Sequence, residues 1–428
     1  MAGEMAPASA GPETRVGRYR WTVCGLLFAA TAINYVDRQM IGVLKPTISA
    51  ELGWSETAYA DIVFWFTAAY AIGYLAFGRI VDVLGARIGY TIAFLIWTLG
   101  HTLCGFAGTA LQFSMARFVL GVGESGNFPA GIKAVSEWFP ARERALATGI
   151  FNAGANVGAI VTPLIVPVIT VAYGWRAAFI ITGIFSLGWL VAWLAFYRRP
   201  HEHPRLSAAE RAHIDSDPAD PVTPIGWMRL LRLRETWAFA VGKFLIDPVW
   251  WLFLFWTPDF LAKTYHLDLL GFGPPLVAIY LISDLGSVAG GWASSRLMQR
   301  GLSANVARKL TMLVCALLVT PIFFAQHADN LWLAVCIIGL ATAAHQAFSC
   351  NLYTLPSDMF PRAAVGSVIG IGGTVGAIGG MFMAKFTGYV LETTGSYTPI
   401  FAVAGSVYLL AVVLIHLLSP RLARVEAR

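Results

Sequence analysis

The chain has 428 residues, of which 57% are hydrophobic and only 13% are charged. Soluble domains average about 25% charged residues, so this composition excludes an ordinary soluble protein and indicates that lipid surrounds most of the chain. The formal net charge of +6 does not indicate a nucleic-acid partner, because no basic patch is interleaved with aromatic residues.

In chain order, a polar N-terminal tail comes first and lacks the apolar core and cleavage site of a secretory signal. About twelve apolar segments of roughly 20 residues follow, the length that a helix needs to cross the hydrocarbon core. They lack the alternation of an outer-membrane barrel, so we predict an all-α membrane protein. We place the spans near 21–42, 57–81, 88–107, 110–136, 144–171, 175–197, 236–262, 273–295, 307–325, 330–352, 363–390 and 396–418.

Span one contains the sequence NYVDRQ. Its spacing places Asn34 and Arg38 on one face of a helix, with Tyr35 three residues before Arg38 and Asp37 one step aside. Ionisable residues within a span are costly and usually face a cavity, so these charges are predicted to be functional.

The loop between spans two and three reads GRIVDVLGAR over residues 78–87. Asp82 is expected to cap a neighbouring helix and to pair with arginines of the next loop on the same side, in a latch that exists only when that side is closed. A purely structural turn is the alternative. The predicted gating residues are Gly78, Asp82, Gly85, Arg87, Arg142 and Arg144.

Span four contains ARFVLGVGESGNFPAG, in which Arg117 and Glu124 lie seven residues apart and so on one helical stripe. The glycines around Glu124 allow close packing and Pro129 allows a bend, so we interpret the segment as a moving helix that carries a proton site. The alternative is that Asp37 and Arg38, and Arg117 and Glu124, form static ion pairs. The attraction within a buried ion pair often only offsets the cost of removing both charges from water, so such pairs are an inefficient way to hold helices together.

Two six-span halves are indicated by the single long polar interval after span six. FPARERALATG after span four matches FPRAAVGSVIG after span ten, and GRIVDVLGAR has a fainter match in GWASSRLMQR after span eight. The first match aligns Pro140 with Pro361, Gly149 with Gly370 and Gly158 with Gly379. We therefore predict a tail at 1–18, an N-terminal half at 19–197, a linker at 198–235, a C-terminal half at 236–419 and a tail at 420–428.

Parallel six-span repeats joined by a linker outside the membrane are the architecture of the major facilitator superfamily. The loop at 78–87 resembles the G-x-x-x-D-x-x-G-x-R signature of that superfamily, at the place where the family has it. The resemblance implies that spans one and four line a central cavity, where Asp37, Arg38, Arg117 and Glu124 converge.

The chemistry of these four residues suits a carboxylated solute that moves with protons. Arginine offers a planar fork that grips a carboxylate in two places. A carboxylic acid in a poorly hydrated cavity favours its neutral form and can exchange protons near neutral pH. We predict Asp37 and Glu124 as proton carriers, and Arg38 and Arg117 as substrate-binding residues.

The NYVDR and span-four segments closely resemble the anion:cation symporter branch of the superfamily, which includes acidic-sugar permeases, sialin and vesicular glutamate transporters. GKFLIDPVWWLFLFWTPDFL and HQAFSCNLYTLPSDMFP are most similar to bacterial hexuronate permeases. The resemblance implies Tyr35 and Tyr70 as hydrogen-bonding residues of the cavity, with Asn34 beside them. Some galactonate-type relatives have polar residues on spans five and eleven, where this chain has Ala155 and GIGGTVG, so the exact sugar acid stays open.

The C-terminal half is expected to supply the side of the cavity that hydrogen-bonds to the hydroxyl groups of the sugar. It also offers flat apolar faces on which a pyranose ring can rest. Aromatic residues near span ends are also common interface anchors. The candidates are His345, Gln346, Asn351 and Tyr353 on span ten, and Trp250, Trp251 and Trp256 on span seven. Lys243 and Asp247 are candidates for an ion pair, and their role, like that of Lys385, stays open.

These patterns predict a proton-coupled symporter that imports a hexuronate such as galacturonate or glucuronate by alternating access. We expect a monomer in a bacterial inner membrane, with both termini cytoplasmic because basic residues concentrate in alternate loops. The alternatives are another organic anion (an aldonate, aldarate or aromatic acid) and a proton-independent uniporter. Neither an enzyme, a cofactor, a metal nor a nucleic-acid partner is expected, because the eight histidines and five cysteines show no metal spacing and no loop offers a nucleophile with a base.

Overall fold

The computed structural model describes residues 16–216 and 226–425, without the side chains of residues 82, 141, 142, 145, 362 and 363. All regular elements of this described part are helical. The α-helices are α1 (Tyr19–Leu52), α2 (Glu56–Cys104), α3 (Ala110–Glu124), α4 (Asn127–Trp138), α5 (Ala141–Tyr173), α6 (Trp175–Phe196), α7 (Ala208–Ile214), α8 (Trp227–Leu230), α9 (Arg234–Tyr265), α10 (Gly273–Gln299), α11 (Ala304–Val319), α12 (Leu331–Met359), α13 (Arg362–Thr394) and α14 (Thr398–Leu418).

Ten helical segments of the described chain are long and apolar enough to cross a membrane. Two of them belong to α2, which has a kink at Gly85, where φ is 80°. The two further spans expected from the sequence are α1, with its internal charges, and a span that is divided into α3 and α4 at residues 125–126. The predicted all-α membrane fold is confirmed.

The two halves repeat the same local geometry where the sequence predicts a duplication. Pro140 and Pro361 are the N-cap residues of α5 and α13, and each of these helices is 33 residues long. Gly158 packs against the carbonyl of Ala32 on α1, and Gly379 packs against the carbonyl of Phe244 on α9. Corresponding glycines therefore allow the same close helix approach in both halves.

The connector between the halves docks on the N-terminal half through α7. The Arg20 guanidinium donates from Nε to Glu143 Oε2 at 2.8 Å and from Nη1 to Glu210 Oε1 on α7 at 3.2 Å. His213, also on α7, lies 2.9 Å from Glu143 Oε1. The hydrogen bond from Arg20 holds the pKa of Glu143 below its usual value. This cluster ties the starts of α1 and α5 to the connector.

The halves are joined by polar contacts on the side opposite the start of α1. Lys45 Nζ, near the end of α1, lies 2.6 Å from Glu56 Oε2 and 2.8 Å from Asp259 Oδ2 on α9. Lys263 also pairs with Glu56 and lies 3.0 Å from Asp259 Oδ2. We call Lys45, Glu56, Asp259 and Lys263 the interhalf ion network. Lys45 is only 1% exposed, so part of this network is shielded from solvent.

Further contacts between the two halves lie on the same side and help to close the space between them there. Lys385 on α13 pairs with Asp61 on α2, and Glu392 accepts a hydrogen bond from the Thr57 backbone N–H at 3.1 Å. On the side of the termini, a Cβ added at Gly78 of α2 or at Gly370 of α13 would meet only open space. Among the described residues, the halves are therefore held together at the end opposite the termini.

Asp259→Asn is expected to weaken this closure, because the acid faces two lysines and breaking a buried ion pair costs about 3–5 kcal/mol. Tyr59, which is buried where its hydroxyl bonds the Phe255 carbonyl of the other half at 2.9 Å, provides a reporter position. A cysteine introduced as Tyr59→Cys should react with a membrane-impermeant maleimide at least about tenfold faster when Asp259→Asn is present.

Glu51→Gln is the matched control, because Glu51 lies on the same side but pairs with Arg176 inside the N-terminal half. The parent protein without the reporter cysteine corrects for the native thiols. An equal labelling rate with and without Asp259→Asn would show that the interhalf ion network does not hold the closure.

Candidate functional site

Arg38 lies near the middle of α1 and binds a carboxylate from another helix. Its Nε donates to Glu124 Oε2 of α3 at 2.8 Å, and its Nη2 donates to Asn34 Oδ1 at 3.1 Å. Glu124 is fully buried and its Oε1 has no hydrogen-bond partner among the described residues. This arrangement leaves part of the guanidinium and one carboxylate oxygen available for further contacts.

Aromatic rings of both halves surround the Arg38 guanidinium. Its Cζ lies 4.9 Å from the ring centroids of Tyr35 and Tyr70 and 5.4 Å from that of Trp251 on α9. Such distances give favourable cation–π contacts. The structure thus brings Asn34, Tyr35, Arg38, Tyr70, Glu124 and Trp251 together at one place between the halves.

The glycines of the span-four segment explain how Glu124 reaches Arg38. A Cβ at Gly121 would collide with the backbone carbonyl of Phe66, and one at Gly123 would collide with the backbone of Trp97. Both surfaces belong to α2, so α3 lies directly on the backbone of α2. Glu124 is the last residue of α3, directly before the two residues that separate it from α4.

Arg117 is fully buried behind this group and contacts backbone rather than a carboxylate. Its Nη1 donates to the Asp37 carbonyl and its Nη2 to the Arg38 carbonyl, both at 3.2 Å, while its Cζ lies 4.3 Å from the ring centroid of Phe66. These contacts fix α1 against α3. Contact between Arg117 and a substrate would require them to rearrange and stays a prediction.

The Asp37 side chain contacts two residues of α2 instead of Arg38's partners. Trp97 Nε1 donates to its Oδ2 at 3.1 Å, and His101 Nε2 lies 3.3 Å from its Oδ1. His101 is completely buried and also contacts Thr182 Oγ1 of α6 at 2.8 Å. Sequence reasoning missed His101 as a partner of Asp37, because its place near the end of span three is equally typical of an interfacial residue.

The C-terminal half contributes a second cation with an acid. Lys243 Nζ on α9 lies 2.6 Å from Asp247 Oδ2 and donates to the Tyr353 hydroxyl of α12 at 2.7 Å. His345 stacks on Trp250 at 5.2 Å between ring centroids, and its Nδ1 lies 2.6 Å from the Tyr408 hydroxyl.

Other residues predicted to line this half of the cavity already have partners within the protein. Asn351 is buried and donates to the carbonyls of Gly290 on α10 and Ala347 on α12, at 3.1 and 2.9 Å. Trp256 packs edge-on against Tyr59, at 5.3 Å between centroids. Gln346 is half-buried beside His345. A substrate role for Asn351 therefore stays a prediction, and the structure gives its amide a helix-joining contact.

The predicted gating residues lie near the kink of α2 and near the start of α5. Gly85 forms the kink of α2, and Arg87 Nη2 donates to the Leu194 carbonyl near the end of α6 at 2.8 Å. Arg144 Nε donates to the Phe139 carbonyl at 2.9 Å. Gly78 lies within α2. The side chains of Asp82 and Arg142 are outside the described part of the structure, so the latch between them stays a prediction.

Comparisons with known proteins agree with this architecture. The family model of the Major Facilitator Superfamily matches residues 27–384. The hexuronate transporter of Escherichia coli (strain K12) is 33% identical over 391 residues, which are 90% of each chain. The galacturonate transporter of Dickeya chrysanthemi is 34% identical over 343 residues, which are 77% of this chain and 94% of the relative.

Among solved structures, this fold is similar to that of a bacterial homolog of the human lysosomal transporter Spinster, in an inward-facing and occupied conformation. The TM-score is 0.70 and the identity 17%, with 94% of this chain and 96% of the other covered.

Arg117→Lys is expected to lower the apparent thermal unfolding midpoint of the purified protein in detergent. A single ammonium cannot reach both carbonyls that the guanidinium fork reaches, and a buried cation that loses a hydrogen-bond partner costs about 1–3 kcal/mol. Arg176→Lys, at an exposed ion pair with Glu51, is the control and should leave the midpoint nearly unchanged. Equal midpoints for Arg117→Lys and the parent protein would contradict the role of Arg117 in fixing α1.

Proposed function

Because this chain belongs to the major facilitator superfamily, its activity is transport, and we propose that it is a proton-coupled symporter that imports a hexuronate. Galacturonate and glucuronate are the proposed substrates, and the names of the hexuronate and galacturonate transporters to which the chain is similar support this class. We place the protein in a bacterial inner membrane as a monomer with both termini in the cytoplasm. The distribution of basic residues between alternate loops supports this orientation.

The ion pair between Arg38 and Glu124 is the observation that carries the proposal. Glu124 is bound to the Arg38 guanidinium, which is the cation that a substrate carboxylate needs. The two carboxylates therefore compete for one guanidinium. Protonation of Glu124 removes the competing charge and leaves the planar fork of Arg38 free to bind the substrate carboxylate in two places. Binding of an anion and binding of a proton therefore favour each other.

The proposed cycle uses this competition at both sides of the membrane. From outside, Glu124 takes up a proton and Arg38 takes up the sugar acid, whose ring can rest on Trp251 and Tyr70. After the halves change orientation, Glu124 releases its proton to the cytoplasm and binds Arg38 again, which displaces the substrate. The interhalf ion network holds the outer side closed during this release.

The membrane potential sets the number of protons that useful import requires. Entry of a univalent anion into an inside-negative cell is opposed by about 2.3 kcal/mol per 100 mV. One proton cancels this term, and a second proton makes import electrogenic and driven by the potential. Asp37 supplies the second proposed proton site, held by Trp97 and His101.

Uptake of labelled galacturonate into proteoliposomes, with and without an imposed pH gradient, tests the proposal. Accumulation only with an inwardly directed proton gradient is expected. Uptake that equilibrates equally fast without the gradient would favour a proton-independent uniporter. Transport of an aldonate, aldarate or aromatic acid in place of galacturonate would show that the substrate is another organic anion.

Glu124→Gln is expected to abolish gradient-driven accumulation while keeping substrate binding and exchange across the membrane. The amide has the shape of the protonated acid but cannot release a proton, so Arg38 stays available to substrate in both orientations. The measurement compares proton-driven uptake with counterflow of labelled galacturonate in proteoliposomes. Glu137→Gln is the control, because Glu137 lies on α4 and accepts from Tyr197 away from Arg38. Full accumulation by Glu124→Gln would reduce Glu124 to an ion-pair residue.

Asp37→Asn is expected to make import insensitive to the membrane potential if Asp37 carries the second proton. With Glu124 alone, one proton moves with one anion and no net charge crosses the membrane. Uptake is measured at fixed pH gradient while a potassium gradient with valinomycin sets the potential. Unchanged stimulation by an inside-negative potential would assign Asp37 a structural role beside His101.

A further inference from the structure

The pair formed by Lys243 and Asp247 has no evident stabilising purpose. Both residues belong to α9, four positions apart, so their ion pair joins no two helices. Such a pair stabilises even an exposed helix only weakly. Burying two charges carries a desolvation penalty that exceeds this gain. A membrane helix that keeps this pair in its interior therefore uses it for something other than stability.

The glycine run of span eleven makes room for the Asp247 carboxylate. A Cβ added at Gly376 would collide with Asp247 Oδ2, and one at Gly380 would touch the Trp251 ring. The last glycine of the GIGGTVG sequence, Gly376, thus has no side chain at this place and leaves the volume to a carboxylate from α9. An acceptor from span seven occupies the position beside span eleven.

This group opens towards the space between the halves. The Asp247 side chain is 16% exposed and Tyr353 is 42% exposed, whereas Lys243 is almost fully buried beneath them. On α13, a Cβ added at Gly373, three residues before Gly376, would lie 3.8 Å from the ring of Tyr74 on α2. The Tyr74 ring lies 5.9 Å from that of Tyr70, one of the rings that surround Arg38. The two cation–acid pairs, one from each half, therefore face a common space.

We propose that Asp247, with Lys243 and Tyr353, forms the subsite for the hydroxylated end of the sugar acid and excludes a second carboxylate from it. This rests on the proposed function, in which Arg38 takes the carboxylate end. An aspartate accepts two hydroxyl hydrogen bonds, and the buried Lys243 fixes its orientation. The Tyr353 hydroxyl accepts from Lys243 and donates its own proton to a sugar oxygen. A substrate with carboxylates at both ends would bring its second negative charge against Asp247.

The test is the selectivity of Asp247→Asn between a uronate and an aldarate. The purified full-length protein is titrated with galacturonate and with galactarate, which differ in having an aldehyde-derived or a carboxylate end. In the variant, Lys243 loses its counter-charge and the subsite becomes cationic. The ratio of galacturonate affinity to galactarate affinity is expected to fall at least about tenfold. An unchanged ratio would overturn the proposal.

Two further variants separate the position of the carboxylate from its charge. Gly376→Ala moves the Asp247 carboxylate but keeps its charge, so galacturonate affinity should fall several-fold with no gain for galactarate. Gly370→Ala is the matched control, because a Cβ there meets only open space on the same helix. If Asp247→Asn is not monodisperse, the Gly376→Ala result decides: galacturonate affinity equal to that of Gly370→Ala contradicts the proposal.

Failure of the proposed function gives a different result. A parent protein that binds no galacturonate contradicts the hexuronate assignment. The comparison is then made with galactonate and galactarate, which differ by the same second carboxylate. A tenfold shift of that ratio in Asp247→Asn supports the subsite even when hexuronates are not substrates, and its absence refutes the subsite independently.

Discussion

The buried ion pair between Arg38 and Glu124 is the constraint on which the N-terminal half depends. Neither charge can be left alone in a poorly hydrated interior, because an uncompensated buried charge costs several kcal/mol. The glycines of span four bring α3 onto α2, and Arg117 holds two backbone carbonyls of α1. Together these contacts keep Arg38 and Glu124 within 2.8 Å. A ligand that separates the pair must offer Arg38 another carboxylate, and a proton that separates it must neutralise Glu124.

Each half carries a cation with an acid, but the two pairs are built differently. In the N-terminal half, the partners come from α1 and α3, so their separation bears on how two helices meet. In the C-terminal half, Lys243 and Asp247 belong to one helix, and their geometry survives a rigid movement of α9. The interhalf ion network adds a third set of charges where the halves touch, at one end of the molecule. The three sets of charges, one in each half and one between the halves, therefore lie at separate places.

Much of this architecture could be predicted from the sequence, because apolar length and repeated glycine patterns determine where helices cross a membrane and how closely they pack. The meeting of Arg38 with Glu124 was predictable once spans one and four were expected to lie together. The contact of His101 with Asp37 was not, since it depends on the rotation of two helices that no spacing within one helix reveals. Lys45 gave no signal either: a basic residue near a span end is usually solvated, and only tertiary contact with Asp259 identifies it as part of a closure.

The placement of Lys243 and Asp247 on a single helix has a consequence for how such carriers diversify. A substitution there alters a group whose partners are four residues apart, without disturbing the contact between α1 and α3. Under the proposed mechanism, solute preference can therefore drift during evolution while the energy-coupling residues are inherited unchanged. A lineage that gains access to a new nutrient would then need few mutations in α9 and α13, and the proposed dependence on the proton gradient would persist.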